Sequence, residues 1–421
     1  MLVLLHVLHL VAHPVLRIDR VLVDEMNHLI CENTMSWFGV GAERRVFQMI
    51  LASAMILGAS NAGWSQGFED DFAQEWVSLE DDETAIQLVG GLSSNGSGCD
   101  SCDGLGCDSC CGPEKCCKPW WAHRRGVMGQ WLYLRPGNTD IIYTIEQNNT
   151  APPNLGFPTG PVGFNAIDTS SGVRAGFTLP ASDCTSLVVT FSHWEGDDQD
   201  RIIANGGNIL VSEILHPSRQ AVGVGAAGLD ESATYGMDFQ LVDVAYRHLW
   251  KRSDRYAINW KAGLKYGNME QEFRFDQNNA VAVGLFSVES DIDFDGFGLM
   301  AGLDFERYSC NTGLSIYGSA VGSALAGEWN ADYIDIPQLG GGQVANDYKD
   351  FRVTPLLELE LGLAWQSKCG RARVNAGYMT SAWYDSLSSR AYIDAVRLGR
   401  YIDVGETITF SGLVLGGELR F

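Results

Sequence analysis

The end of the chain, from residue 406 to residue 421, alternates between apolar and polar side chains. Leu413, Leu415 and Leu419 fall on one face of this stretch, and Glu418 and Arg420 fall on the other. A period of two is typical of a β-strand that has one apolar and one polar face. The pattern therefore predicts that the chain ends on an amphipathic strand.

The same alternation recurs upstream, most clearly at residues 357–363, where leucines alternate with Glu358 and Glu360. Pairing Trp365 with Ala372 of the next strand brings the apolar faces of the two strands into register. A β-bulge is predicted at residues 241–242, where the alternation changes phase. Further strands are predicted near residues 130–135, 173–179, 186–192, 237–250, 256–266, 297–306 and 314–326.

The connections between these strands alternate in length. Short connections are predicted near residues 180–185, 250–255, 307–312 and 367–370, and long ones near 137–170, 195–235, 268–294, 328–352 and 385–405. Transmembrane β-barrels have this arrangement, with tight periplasmic turns and long outer loops. We therefore predict an all-β fold over residues 126–421, an antiparallel transmembrane β-barrel of about ten strands, or twelve if residues 141–146 or 209–214 also pair.

The composition agrees with a barrel in outer-membrane lipid and argues against other classes. Of the 421 residues, 46% are hydrophobic. No apolar run long enough for a transmembrane helix follows residue 60. The formal net charge of -23 argues against nucleic acid as a partner, because phosphate binding requires a basic surface.

Three segments precede the predicted barrel. Residues 1–62 are expected to be an over-extended start followed by a signal peptide, because an arginine pair precedes an apolar run and a small-residue cleavage site. Residues 63–98 are acidic and are expected to form a periplasmic linker. Residues 99–125 are expected to be a cysteine-rich, largely irregular segment.

The cysteine-rich segment contains a short internal repeat. Its cysteines are Cys99, Cys102, Cys107, Cys110, Cys111, Cys116 and Cys117. Two Cys-x-x-Cys pairs are typical of metal sites, but the spacer between these pairs is much shorter than such sites use. In the oxidising compartment that the signal peptide implies, thiols form disulfides. We expect disulfides rather than a metal site, with metal binding and cross-linking as the alternatives.

The cysteines within the predicted barrel, Cys184, Cys310 and Cys369, lie in or beside predicted short turns. In a ten-strand count, Cys310 precedes the seventh strand and Cys369 follows the eighth, so the two lie at neighbouring strand ends. A Cys310–Cys369 disulfide is then expected, provided that the α-carbons come within about 7 Å. Cys184 is expected to pair with the cysteine-rich segment.

Three stretches carry a family resemblance: Gly-Leu-Met-Ala-Gly-Leu-Asp at 298–304, Leu-Glu-Leu-Glu-Leu-Gly-Leu at 357–363, and the terminal Gly-Glu-Leu-Arg-Phe. With them, residues 126–421 resemble the Legionella major outer membrane protein family, whose planctomycete members often carry a Cys-rich segment before the barrel. The resemblance implies an outer-membrane, porin-like protein, assembled by the barrel assembly machinery through the strand that ends on Phe421. It supplies no catalytic motif and no cofactor, so we expect no enzyme activity.

The polar faces of the predicted strands supply candidate pore-lining residues. They are Lys261, Lys265, Asp304, Glu306, Glu358, Glu360, Arg371 and Arg373. These charges either line a passage for ions or small solutes, or pair with one another and close a narrow barrel. The sequence therefore leaves two functions open: a porin-like channel, and a structural or adhesive outer-membrane protein with a closed lumen.

Two acidic stretches offer alternative chemistry. Residues 291–296 resemble the start of a calcium loop but lack its glutamate at the twelfth position, so we interpret them as part of a strand. Asp197, Asp198 and Asp200 follow His193 and could suggest a hydrolase. The sequence positions no catalytic partner for them, and we do not assign them to a site.

Overall fold

In the computed structural model of the protein, the described residues are 119–148, 156–220, 228–279, 285–309, 312–337, 342–402 and 404–421. The expected signal peptide, the acidic linker and all seven cysteines of the cysteine-rich segment lie outside these residues, and so does Cys310. The Cys310–Cys369 pairing therefore stays a prediction.

Antiparallel strands make up most of the described chain. They are β1 (Gly126–Gly137), β2 (Ile141–Gln147), β3 (Pro158–Asn165), β4 (Ser170–Pro180), β5 (Thr185–Ile203), β6 (Ile209–Ser212), β7 (Gly228–Arg252), β8 (Tyr256–Asn279), β9 (Leu285–Tyr308), β10 (Leu314–Pro337), β11 (Val344–Gln366), β12 (Ala372–Ser386) and β13 (Glu406–Arg420). Two helices, α1 (Pro217–Gln220) and α2 (Ser389–Leu398), lie in the connections. Among the described residues, neither the length nor the apolar character of any helix suffices to span a bilayer.

Ten of the strands close into a ring. Their order is β1, β4, β5, β7, β8, β9, β10, β11, β12 and β13, and β13 pairs back with β1. The predicted antiparallel ten-stranded barrel is confirmed.

The other strands, β2, β3 and β6, do not belong to the ring and form a side sheet at one end of it. In this sheet β2 lies between β3 and β6, and the sheet joins the ring where Leu210 pairs with Gly228 at the start of β7. The stretches that the sequence left open near residues 141–146 and 209–214 are therefore strands, but they do not enlarge the barrel to twelve.

The two ends of the barrel differ. One rim, which we call the terminus rim, carries Gly126, Phe421 and the short connections that follow β4, β7, β9 and β11. The opposite end carries the side sheet and α2, and we call it the distal rim. The terminus half and the distal half of the barrel are the parts next to each rim.

In the terminus half, apolar side chains point outward. Leu361, Leu363 and Leu413 are 52%, 60% and 52% exposed, and the intervening residues point into the lumen. Such a surface is suited to lipid, with a polar interior behind it. The outward positions that the alternation predicted are found in the wall, among them Val173, Phe177, Leu264, Phe297, Leu299, Val374, Tyr378, Leu415 and Leu419.

One predicted strand register is wrong by two residues. Trp365 pairs with Val374 rather than with Ala372. The reason is the turn between β11 and β12, where the Ser367 N–H donates to the Ala372 carbonyl over 2.9 Å and so closes a longer loop. Because a slip of two residues keeps every side chain on its own face, the predicted facing is unchanged.

Polarity reverses along the long strands. On β9, Phe297 and Leu299 point outward in the terminus half. In the distal half of the same strand Phe294 is fully buried in the lumen, while Asp293 and Asp295 are exposed on the outer surface. Strand β9 therefore has an apolar outer face at one end and an apolar inner face at the other, with no interruption of its alternation.

This reversal explains why the bulge predicted at residues 241–242 is wrong. The described pairings of β7 with β5 and β8 run through this point without a register shift. Leu241 and Asp243 both face the lumen, but Leu241 lies in its apolar distal part and Asp243 in its charged part. What looked like a change of phase is a change in the polarity of the lumen.

The reversal also explains why two predicted long loops, at residues 268–294 and 328–352, are mostly strand. β8 continues to Asn279, and β10 continues to Pro337. Outside lipid, the outer face of a strand contacts water and can carry charged residues such as Asp293 and Asp295. A prediction that follows only the outward apolar residues therefore ends each strand where the lipid ends, although the strand itself continues.

Candidate functional site

The lumen of the terminus half is lined by charged side chains, which we call the charged lumen. Its basic members are Arg174, Arg247, Lys261, Lys265, Arg373 and Arg420, and its acidic members are Asp243, Asp304, Glu306, Glu358, Glu360 and Glu418. The two sets are equal in number. With every group ionised, this layer carries no net charge.

Lys265 is the most deeply buried charge of the layer. Its side chain is fully buried, and its ammonium group lies 3.0 Å from an Asp243 oxygen and in close contact with Glu358. Glu358 belongs to β11, which is not a neighbour of β8 in the ring, so this contact crosses the lumen. An ammonium group taken out of water needs such partners, since its desolvation costs several kcal/mol.

Arg174 of β4 reaches across the lumen to β11. Its guanidinium donates to a Glu360 oxygen over 3.0 Å and to the Gln130 side-chain oxygen over 3.1 Å. The Tyr317 hydroxyl donates to the other oxygen of Glu360 over 2.8 Å. Because β4 and β11 are not adjacent, this cluster occupies the middle of the barrel.

A third cluster lies nearer the terminus rim. The Lys261 ammonium donates to Asp304 over 2.8 Å, and Arg247 approaches the second Asp304 oxygen at 3.4 Å. Arg373 lies 3.3 Å from Glu306. The charges of this layer therefore neutralise one another within the barrel.

The structure brings the predicted pore-lining residues together with one exception. Arg371 lies in the turn before β12 and is exposed at the terminus rim, whereas the others face the lumen. Sequence analysis missed Arg174, Glu418 and Arg420, although each lies on the polar face of a predicted strand. Asp243 was missed because the apparent phase change hid its facing.

The distal half of the lumen is filled by an apolar core that we call the aromatic plug. Trp194, Trp329 and Trp383 are fully buried, and the Phe294 and Trp329 rings stack with centroids 4.5 Å apart. The other large members are Phe239, Met269, Phe273, Phe275, Leu325 and Phe410. They come from strands on several sides of the ring, so the plug resembles the close-packed core of a soluble protein.

Helix α2 covers the plug at the distal rim. Ser388 accepts from the Ala391 N–H as the N-cap, and Gly399 ends the helix at a φ of 60°, a left-handed conformation that glycine adopts without strain. The fully buried Tyr392 directs its hydroxyl to the Asn346 and Ala331 carbonyl oxygens, at 2.9 and 3.0 Å. The helix is thereby fixed to β10 and β11.

The segment after β6 covers the plug beside α2. The Tyr333 hydroxyl donates to the Ile214 carbonyl over 3.0 Å, and Ile214 and Leu215 are buried. Arg397 of α2 forms an ion pair with Glu213 at 3.2 Å. The two coverings are therefore linked to each other as well as to the barrel.

Residues 119–124, which we call the floor segment, lie across the terminus rim. Trp120 stacks on Tyr308 with ring centroids 5.1 Å apart, and its Nε1 donates to the Asp254 carbonyl over 3.2 Å. Arg124 donates to the Cys369 carbonyl over 2.8 Å. These contacts tie the floor segment to two different turns and to the end of β9.

His123 extends the floor segment into the lumen. It is buried, and its Nε2 lies 2.9 Å from Oδ1 of Asn259. A polar cavity of about 30 Å³ remains beside it, lined in part by Arg247, Glu418 and Arg420. A space of this size holds about one water molecule. The floor segment lies at one end of the charged lumen, and the aromatic plug lies at the other.

Two of the acidic residues considered for other chemistry have structural partners. Asp198 accepts from the Ala166 N–H over 2.9 Å, and Asp200 accepts from the Tyr143 hydroxyl over 2.8 Å. Both contacts hold the side sheet against β5. Residues 291–296 lie within β9, and in the described part of the chain no group of His, Cys, Asp and Glu residues is arranged to hold a metal ion.

The outer surface of the distal half carries an acidic belt. Glu195, Asp238, Glu270 and Asp293 lie directly opposite one another across β5, β7, β8 and β9. The next row contains Glu272, Asp291, Asp332 and Asp347. Like charges that face each other across strands destabilise a sheet, so the belt costs stability while its members are ionised.

Asp238 lies beyond the lipid-facing part of β7, which we place at residues 242–250. Burial, together with the Glu270, Glu195 and Glu272 carboxylates, raises the pKa of Asp238 to about 6 from 3.8. A raised carboxyl pKa means that the folded state binds the proton more tightly than the unfolded state. The resulting penalty is absent below pH 3.8, builds up toward pH 6 and is complete above it.

Replacing Asp238 with asparagine is therefore expected to stabilise the folded barrel by about 0.2–1 kcal/mol above pH 6. The gain should shrink as the pH falls from 6 toward 4, because the native aspartate then becomes neutral as well. Urea unfolding in lipid vesicles across this pH range measures it. A gain that is independent of pH would show that charge repulsion is not its cause.

Residues 117–421 match the protein family described as Legionella pneumophila major outer membrane protein precursor. No curated protein matches the chain. The outer membrane protease OmpT from Escherichia coli is 10% identical, with 71% of this chain and 97% of that chain covered and a TM-score of 0.36. A major outer membrane protein from Thermus thermophilus is 11% identical, with 71% and 100% covered and a TM-score of 0.27. At such values these structures support no argument about function.

The family match has a different weight, because it spans every described strand and more than half of the chain. It also agrees with the ten-stranded ring and with the apolar outer surface of the terminus half. The chain belongs to the Legionella major outer membrane protein family and is a β-barrel protein of the outer membrane.

Proposed function

We propose that this protein is a structural, non-enzymatic component of the outer membrane whose lumen is closed in its resting form. The observation that carries the proposal is the aromatic plug. Trp194, Trp329 and Trp383 fill the distal half of the lumen and are inaccessible to solvent. An ion that crossed this layer would lose its hydration without gaining polar partners, and such desolvation is very costly.

The charged lumen supports the same proposal. A conducting lumen keeps its charged groups hydrated, whereas Lys265 is fully buried and paired with carboxylates from two strands. The Arg174–Glu360 contact also crosses the barrel. These ion pairs act as cross-links across the lumen of a membrane-anchored scaffold. Its long strands and side sheet extend beyond the lipid and are available to surface partners.

A porin-like channel for ions or small solutes is the second candidate, and the charged lumen favours it in one respect. Buried ion pairs are often no more stabilising than apolar packing of the same volume. A barrel with a purely structural role could therefore fill this layer with apolar side chains. In a channel, α2 and the floor segment would move aside and the ion pairs would become hydrated.

Solute flux into proteoliposomes separates the two candidates. We expect no flux of small ions or sugars through the wild-type protein, and none after Trp120→Ala and Trp121→Ala loosen the floor segment, because the aromatic plug remains. Flux is expected when Trp329→Ala and Trp383→Ala are added. Heat-modifiable migration on gels serves as the control for folding, and flux through the folded wild type would favour the channel.

A further inference from the structure

Exposed basic residues gather at the terminus rim, although the chain as a whole has a formal net charge of -23. They are Arg125, Lys251, Arg252, Arg255, Arg307, Lys368 and Arg371. The exposed acidic side chains of the same rim among the described residues are Asp183 and Asp254. We call this set of basic residues the basic rim.

The basic rim lies where the lipid-facing wall ends. Arg125 is the next outward position beyond Val127 on β1, and Arg307 is the next beyond Phe305 on β9. Trp250 and Trp365 are exposed on the same end of the wall, and tryptophans of this kind mark the level of lipid headgroups. The guanidinium groups of the rim therefore lie at the depth of lipid phosphates.

Arg252 is held at this interface by the protein itself. Its guanidinium carbon lies 4.1 Å from the centroid of the Trp121 ring, a cation–π contact. Trp121 is part of the floor segment, so the contact also joins the rim to the floor. An arginine that is ordered before binding loses less conformational entropy when it meets an anion.

The opposite end of the wall has the reverse charge. On β9, Asp293 and Asp295 are the outward positions beyond the lipid-facing Phe297, toward the distal rim, and Glu328 lies opposite Asp295 on β10. A negatively charged headgroup is thus attracted at one boundary of the wall and repelled at the other. The two ends of the wall therefore differ in how they interact with negatively charged lipids.

We propose that the basic rim binds the phosphate groups of net-negative phospholipids in the leaflet that contacts it, the periplasmic one if the short turns face the periplasm. Each Lys or Arg close to an anionic lipid surface contributes about 1 kcal/mol, which is about a fivefold preference. The contacts anchor the barrel at a defined depth and fix its orientation. The acidic segment at residues 63–98 is the competing occupant, because it precedes the floor segment in the chain and its charge is opposite to that of the rim.

The test compares lipid selectivity of the full-length protein in phosphatidylcholine vesicles, with spin-labelled phosphatidylglycerol or phosphatidylcholine as the probe. The rim variant combines Arg125→Gln, Arg252→Gln, Arg255→Gln and Arg307→Gln. A matched control combines Arg274→Gln, Lys349→Gln, Arg390→Gln and Arg400→Gln, which are exposed toward the distal rim. Both variants change the net charge equally, and gel migration confirms that each is folded.

The wild type and the control are expected to prefer phosphatidylglycerol about fivefold or more at low salt, and 1 M salt should remove the preference by screening. The rim variant should show a clearly weaker preference at low salt, because only Lys251, Lys368 and Arg371 of the basic rim remain. A preference in the folded rim variant as strong as that of the wild type and the control would overturn the proposal. If the variant with unchanged lipid preference also loses binding of a synthetic peptide of residues 63–98, the rim is assigned to the acidic segment instead.

Discussion

Replacing Lys265 with methionine is expected to destabilise the folded barrel by about 3–5 kcal/mol. The side chain is fully buried between Asp243 and Glu358. Methionine has a similar volume, so the main effect is electrostatic: two carboxylates stay in a desolvated lumen without their cation. Urea unfolding of the protein in lipid vesicles measures the change in free energy.

An exposed lysine provides the control for this substitution. Lys349 lies 4.0 Å from Glu328, and both side chains are more than half exposed, so Lys349→Met is expected to change stability by less than about 1 kcal/mol. Glu358→Gln alone should destabilise the barrel, yet in the Lys265→Met background it should restore part of the loss, because it removes one unpaired charge. Equal losses at Lys265 and Lys349 would contradict the buried ion pairs.

Replacing Leu361 with arginine is expected to destabilise the barrel by roughly 2–4 kcal/mol. Leu361 is 52% exposed on the outer face of β11, within the lipid-facing wall. A guanidinium group at that depth must be taken into hydrocarbon or reach a distant interface. The free energy of unfolding in vesicles measures the penalty.

Phe351 allows a control on the same face of the same strand. It is 70% exposed and pairs with Glu328 at the start of the acidic surface. Phe351→Arg is expected to cost at most about 1 kcal/mol, because it lies near the interface. Similar penalties at the two positions would mean that the lipid boundary is not where the change in polarity puts it.

The lipid-facing wall could be predicted from sequence because lipid imposes one rule on every strand. Outward residues must be apolar, so the leucines near residue 361 and at the C-terminus reveal their own facing. The charged lumen followed from the same rule, since its members occupy the alternate positions. The pairing partners across the lumen did not follow, because contacts such as Arg174 with Glu360 depend on the closure of the ring.

The aromatic plug could not be predicted in this way. The alternation of Phe294 with Asp293 and Asp295 looks the same whether the apolar or the polar face points inward. Which face points inward depends on whether the residues lie within or beyond the lipid. The local alternation does not contain that information. Helix α2 had a recognisable signal, since Ser388 and Gly399 are typical cap residues, but its position over the plug depends on Tyr392 and the distant strands that it contacts.

The most direct test of a closed lumen is the current through single folded molecules in planar lipid bilayers. Wild-type protein whose folding and insertion have been verified is expected to give no conductance steps above the bare bilayer at moderate voltage. Trp329 and Trp383 block the distal half of the lumen, and the floor segment lies across the terminus rim. Reproducible unitary steps from most inserted wild-type molecules would contradict the closed barrel and establish a channel.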